Sequence, residues 1–279
     1  MEGYGLPRWL MVNDFIAFIR ETNELLQKES DLSPANPTVT GVINLLFVQL
    51  RSRYSPEEVQ AVLSHEYIQS NQRQLQDKLS EAEFLTELSD SRKACESRDS
   101  GLDAVKWLPN WPVYIELVKQ ELFTLQQYTE ANRESEQSPI VFVGSGPMPL
   151  SSILLHLFGG VEVICVEKDA TAYEASRALL EHMGFGAKVK VVLEDGSRFD
   201  YGPYRRVFVA SLVKNKQAVL EQIRCTSSNP LVAIRTAEGM KQIMYESIEV
   251  DTLTSQGWRV LGRTSPDEKV VINSTLFLQ

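Results

Sequence analysis

Apolar residues recur at two different periods along this chain. Up to about Gln137 the spacing is helical: Phe15, Ile16, Phe18, Ile19, Leu25 and Leu26 follow it, and so do Val42, Ile43, Leu45, Leu46, Val48 and Leu50. The segment SPEEVQAVLSHEYI opens with Ser55 as a helix N-cap, Pro56 in the first turn and two glutamates near the positive helix end. QLQDKLSEAEFLTELSD continues in the same style, until GLDAVKWLPNWPVY breaks it with Gly101, Pro109 and Pro112. A last helix, YIELVKQELFTLQQYTEA, leads into the polar link NRESEQSP.

After Pro139 the period changes. IVFVG, VEVICVE, KVKVVLED, RRVFVAS and PLVAIRT are short runs rich in β-branched residues, and between them lie the helix-like SSILLHLF, ATAYEASRALLEHMG and KNKQAVLEQI. Strands alternating with helices predict a parallel, doubly wound sheet. The tail, GWRVLGRTSPDEKVVINSTLFLQ, offers two more strands for an antiparallel hairpin at one edge. The pattern therefore predicts an α/β protein: an all-α N-terminal domain over 1–137 and a Rossmann-like domain over 138–279.

Composition narrows the partners. With 28 Lys plus Arg against 37 Asp plus Glu, the formal charge is -9, the wrong sign for gripping nucleic acid or an anionic membrane. Three scattered cysteines (Cys95, Cys165, Cys225) include no CxxC pair, which fits a reduced, cytoplasmic protein rather than a disulfide framework or zinc site. His65, His156 and His182 show no ligand spacing, so no protein-bound metal is expected. Near the N-terminus WLMVNDFIAFI is apolar, but Asn13 and Asp14 interrupt it, so neither an export signal nor a membrane span is expected.

The chemistry gathers at strand ends. VFVGSGPMPLSS runs from a strand through Gly144 and Gly146 into a helix, the junction that lies closest to ligand in an open α/β sheet. A dinucleotide fingerprint wants a third glycine where Pro149 stands, and no Gly-Lys-Ser/Thr follows to make a P-loop. Strand two ends in Glu167, placed to accept the hydroxyls of a ribose, and strand three ends in Glu194 and Asp195, placed to accept from an adenine amine. Glycine turn, ribose acid and adenine acid, in that order, form the nucleoside arrangement of S-adenosylmethionine (SAM) enzymes, whose sulfonium suits carboxylates better than arginines. The other reading of these acids is as polar strand ends facing water.

Several stretches carry a family resemblance. VFVGSGPMPLSS, VEKDATAYEASR, VFVASLVKNKQAVL, VAIRTAEGMKQIMY and PDEKVVINS resemble motifs of nicotianamine synthase and its bacterial relatives, the staphylopine- and pseudopaline-type opine-metallophore synthases. In the helical half, SEAEFLTE resembles the family's Ala-Glu helix and WPVY its Phe-Pro-Tyr-Tyr turn. Two departures stand out. Glu167 occupies a position where the family usually has Asp, and Val113 replaces one tyrosine, which sets any role needing both phenols in doubt.

The resemblance implies a class I SAM-dependent methyltransferase-like fold, but a different reaction: transfer of the 2-aminobutanoyl arm of SAM to an amine, releasing 5′-methylthioadenosine. It implies histidine as acceptor, with D-histidine ahead of L-histidine, and a downstream opine dehydrogenase completing a metallophore. SAM is then a co-substrate, the partners are small molecules, and self-association into a homodimer stays open. For the site, it implies SAM contacts from Gly144, Ser145, Gly146, Pro147, Glu167, Asp169, Asp195, Gly196, Ala210 and Ser211. Glu83 is the first candidate to orient or deprotonate the acceptor amine, with Glu81 and Glu87 close enough to compete for the role; a solvated helix face accounts for all three equally simply. Tyr114 is placed to bind the amine or carboxylate of the transferred group, and Arg235 to pair with a substrate carboxylate or, instead, with an acid at the strand end. Three rivals remain: nicotianamine synthase proper, a small-molecule methyltransferase, and a SAM-sensing module without turnover.

Overall fold

β-Branched runs after Pro139 become strands because their side chains pack on both faces of one sheet. The computed structural model describes residues 12–129, 138–264 and 273–279. The strands are β1 (Ile140–Val143), β2 (Val163–Glu167), β3 (Val189–Leu193), β4 (Arg206–Val209), β5 (Leu231–Thr236), β6 (Val260–Arg263) and β7 (Ser274–Leu278). They form a seven-stranded sheet in the order β3-β2-β1-β4-β5-β7-β6. The first five pair in parallel, while β7 runs antiparallel to both β5 and β6. This is the doubly wound sheet with a hairpin edge that the alternation predicts.

The helices are α1 (Val12–Lys28), α2 (Pro37–Leu50), α3 (Pro56–Leu63), α4 (Glu66–Glu96), α5 (Trp111–Thr129), α6 (Leu150–Gly159), α7 (Ala170–His182), α8 (Lys216–Thr226) and α9 (Val250–Ser255). Alternation along each strand splits the core. Ile140, Phe142, Cys165, Phe208, Ala233 and Phe277 pack with residues of α5, α6 and α7. Val141, Val143, Val166, Val209, Ile234 and Leu276 pack with residues of α8 and α9. Strands covered on both faces read as unbroken apolar runs, and each fully buried Val or Ile contributes about 1.5–3 kcal/mol.

Compactness divides the chain differently from secondary-structure type. One unit comprises residues 1–83 and 238–244; the other comprises 84–237 and 245–279. Strands do begin only after Pro139, as the period change predicts, but α5 and the end of α4 belong to the sheet-bearing unit rather than to a separate helical domain. The smaller unit is built on the buried face of α1, where Phe15, Ile16, Ile19 and Leu26 line up. A 3₁₀ turn at Gly239–Ile243 joins it, held by Gln72 and Gln76, whose amides donate to the Gln242 carbonyl at 2.6 and 2.8 Å. Ser55 makes a full capping box with Glu58 at the start of α3.

The segment SPEEVQAVLSHEYI contains a break: α3 ends at Leu63 and α4 begins at Glu66. His65 makes it, its Nδ1 accepting from the Tyr67 N–H at 3.2 Å in the manner of an N-cap. His156 and His182 likewise bond backbone carbonyls, of Val161 and Asp99. Among the described residues no helix is long and apolar enough to cross a membrane, and no group of three or more His, Cys, Asp or Glu is placed to hold a metal ion. Trp9 to Met11 of the apolar N-terminal stretch, most of the polar link before Pro139, and Pro266–Ile272 of the tail motif lie outside the described residues.

Candidate active site

Strand order reverses at β1, which has β2 on one side and β4 on the other. In such sheets the crevice beyond the carboxyl ends at that point is the ligand site. The turn after β1 is backbone-built: Gly144 and Gly146 have φ of 78° and 67°, a region that costs any side-chain-bearing residue strain. Space is short as well, and a side chain on either glycine would push a neighbouring side chain aside. A Cβ on Gly144 meets Val213 Cγ2 at 2.4 Å, and one on Gly146 meets Glu87 Oε2 at 2.8 Å.

Glu167, buried at the end of β2, ties this turn to the next. Its Oε2 accepts from the Gly146 N–H and its Oε1 from the Asp169 N–H, both at 2.9 Å. A carboxylate has about four acceptor sites, so one remains on each oxygen for a pair of hydroxyls. Asp169 is the N-cap of α7, its Oδ1 accepting from the Ala172 N–H at 2.9 Å. Asp195 at the end of β3 accepts from the Ser197 N–H and hydroxyl, both at 2.8 Å, and these bonds hold its carboxyl below the usual range. The next carbonyl, of Gly196, accepts from the buried Tyr201 hydroxyl at 2.7 Å.

Ser145 lies buried inside the turn, its hydroxyl and that of Ser152 against the Cys165 thiol. Burial pushes that thiol up to about 12. On the other flank, the Ala210 N–H donates to the Val143 carbonyl at 3.0 Å, extending the β1–β4 ladder. Ser211 follows, and its carbonyl accepts from the buried Lys216 ammonium at 2.7 Å. Glu246 lies 3.7 Å from the same ammonium. Pro147, also buried, completes the turn.

Over the glycine turn stands a carboxylate. Tyr114, in the first turn of α5, donates its hydroxyl to Glu87 Oε1 at 3.1 Å, while Glu87 Oε2 rests on Gly146. Pro112 is tolerated there because the first helical turn needs no intrahelical N–H bond. Glu87 is thereby brought to both Tyr114 and the turn. Glu83 lies one helical turn earlier on α4 and falls, with Glu81, in the smaller unit. Glu81 pairs with Lys78 at 3.6 Å.

Arg235, near the end of β5, uses its fork internally. Its Nε and Nη2 meet the two oxygens of Glu121 at 2.9 Å each, and Nη2 also donates to Ser151. Thr275 donates to Glu121 as well, at 2.7 Å, and both charged groups are buried. Burial works against the guanidinium charge, but Glu121 more than offsets it and holds the pKa above its ordinary value. The acid at hand for Arg235 is thus Glu121, on α5. A sequence signal for Glu121 exists: it lies seven residues after Tyr114, on the same helical face.

These features meet known proteins at one point. The family model described as "Nicotianamine synthase protein" matches residues 12–279. The chain belongs to the nicotianamine synthase family. Within that family it is 27% identical to "Nicotianamine synthase 2" of Oryza sativa subsp. japonica over 64% of this chain and 57% of that one. It is 30% identical to "L-histidine 2-aminobutanoyltransferase" of Yersinia pestis over 43% of this chain and 45% of that one. The Pseudomonas aeruginosa protein of the same name is 30% identical over a similar stretch, so the matches span about half the length of these curated relatives. Crystalline MtNAS in complex with MTA and tNA shares the fold with a TM-score of 0.78, at 23% identity over 95% of this chain and 97% of that one. A variant of MtNAS was solved with S-adenosylmethionine.

Proposed function

We propose that this protein transfers the 2-aminobutanoyl group of SAM to the amine of free histidine, releasing 5′-methylthioadenosine, as a step toward an opine-type metallophore. The observation that carries this is the Glu87–Tyr114 pair standing on Gly146. The acceptor nitrogen attacks the γ-carbon of the aminobutanoyl arm, the carbon–sulfur bond breaks, and its electron pair neutralises the sulfonium. The amine must be unprotonated to attack, and the proton it sheds passes to Glu87, with Tyr114 holding that carboxylate in place. We assign this proton to Glu87 on the strength of its contact with Tyr114, while the family resemblance puts Glu83 first. The sulfonium is already a good leaving group, so positioning supplies most of the remaining barrier reduction.

In this reading the nucleoside lies along β2 and β3, with ribose hydroxyls on the remaining acceptor sites of Glu167 and the adenine near Asp195. Gly144, Ser145, Gly146 and Pro147 face the middle of the ligand, and Ala210 and Ser211 its far end. Asp169 caps α7 through Oδ1 and keeps Oδ2 for the ligand. The names of the two bacterial relatives favour L-histidine over the D-histidine that the sequence puts first.

A second reading, nicotianamine synthesis from SAM alone, is favoured by the longer rice alignment, 189 residues against 122. One incubation separates the two. SAM is supplied with L-histidine, with D-histidine or with no acceptor, and products are read by mass spectrometry. Methylthioadenosine with aminobutanoyl-histidine in a histidine tube is the expected result. Nicotianamine in every tube selects the second reading. S-adenosylhomocysteine, or no turnover, overturns both.

A further inference from the structure

Among the buried polar atoms without a partner at the carboxyl edge of the sheet, which include the Ser145 and Ser274 hydroxyls, one is an amide oxygen that the proposed reaction leaves unused. Because β7 runs antiparallel to β5, with Ser274 opposite Thr236, the chain enters β7 at the edge where β1, β4 and β5 end. Asn273 sits at that entry, and its Nδ2 donates to Ser211 Oγ at 2.8 Å. Ser211 is itself pinned, through its carbonyl, by the buried Lys216. The Asn273 amide is therefore fixed, yet its Oδ1 is buried with no hydrogen-bond partner among the described residues. Native proteins rarely leave such an acceptor unfilled, and a ligand bound at this edge can supply the donor.

Position and charge say which donor. The ribose and adenine acids, Glu167 and Asp195, lie on the β2–β3 side of the glycine turn, and Asn273 lies on the β4 side. A ligand laid across the strand ends with its nucleoside on the first side extends its remaining half toward the second. In SAM that half is an amino acid, whose α-ammonium is a cationic donor matched to a lone amide oxygen. We infer that Asn273 Oδ1 accepts from the α-ammonium of SAM and so reads the group to be transferred. This rests on the SAM site proposed above.

The test uses three ligands titrated calorimetrically into the full chain: SAM, decarboxylated SAM, which keeps the amine but lacks the carboxylate, and methylthioadenosine, which lacks both. Asn273→Leu is expected to weaken the first two by about tenfold or more and to leave methylthioadenosine within about twofold, which also reports an intact fold. Asn273→Asp keeps the bond with Ser211 and adds charge to the acceptor. It is expected to tighten both amine ligands about threefold or more, with methylthioadenosine unchanged. Equal change for all three ligands, or none, overturns the inference. So does a loss confined to SAM, which would turn the amide NH2 toward the carboxylate instead. If Asn273→Leu does not fold, Asn273→Asp decides alone by the same criterion. Wild-type protein that binds none of the ligands overturns the proposed function itself, whereas wild-type binding without the selective shift overturns only the role of Asn273.

Discussion

At Glu87 the structure adds a long-range contact to what the helix pattern shows: its carboxylate accepts from Tyr114 and lies against Gly146. Glu83 and Glu87 are four apart on α4, so helical periodicity places them on one face and cannot choose between them. The proposal of Glu87 rests on Tyr114, 27 positions away, which no local pattern links to either glutamate. Glu87→Gln is expected to lower kcat for methylthioadenosine release by about 10²- to 10⁴-fold, with SAM affinity nearly unchanged. Glu83→Gln is expected to leave kcat within about tenfold of wild type; the reverse pattern would return the proton transfer to Glu83. A second residue-scale prediction concerns Cys165. Its thiol ionises near 9.0 in an unfolded chain and is pushed up to about 12 in the folded one, so raising the pH through that window favours unfolding. At pH 8, iodoacetamide should modify the exposed Cys225 and spare Cys165 until the protein is denatured. Native labelling of Cys165, mapped by peptide mass spectrometry, would mean that the glycine turn opens readily.

At the scale of elements, the period of the apolar pattern was a sound guide wherever a strand or helix is decided by its own residues. β1 to β5 and the helices between them follow the runs read from sequence; burial on both sheet faces demands those runs in β1, β2, β4 and β5, while the edge strand β3 is largely exposed. The break between α3 and α4 was not legible: Ser64 and His65 are tolerable inside a helix, and only the ring nitrogen of His65 turned onto Tyr67 starts a new one. Asp169, legible as an acid at a ligand-facing strand end, has a second role that sequence did not show: its carboxylate caps α7. Replacing it by Ala is expected to cost about 1 kcal/mol in urea unfolding, and replacing it by Ser to recover most of that. SAM affinity should fall in both variants, since each loses Oδ2. Unchanged affinity in Asp169→Ser, with stability intact, would leave Asp169 as a helix cap alone.

Across the whole chain, what sequence shows is what is local, and what it hides is assembled over long separations. The glycine turn with the acids of β2 and β3 is legible because each is a strand end followed by a turn. The Arg235–Glu121–Thr275 network is not, since its hydrogen bonds join residues 114 and 154 positions apart. It locks α5, which carries Tyr114, to β5 and β7, so the stability of the core and the placement of Tyr114 share one set of bonds. Buried pairs of this kind are costly to break and cheap to replace. Glu121→Leu alone leaves a guanidinium buried without its counter-charge and is expected to cost about 3–5 kcal/mol in urea unfolding. Glu121→Leu with Arg235→Met removes both charges and is expected to regain most of that stability, because neither ion then needs desolvating. The double variant also tests what Arg235 is for. If the guanidinium only holds α5 to the sheet, the refolded double variant keeps its KM for histidine and for SAM. If it grips a substrate carboxylate as well, stability returns while one KM rises by about tenfold or more, the loss expected for a charge-assisted hydrogen bond.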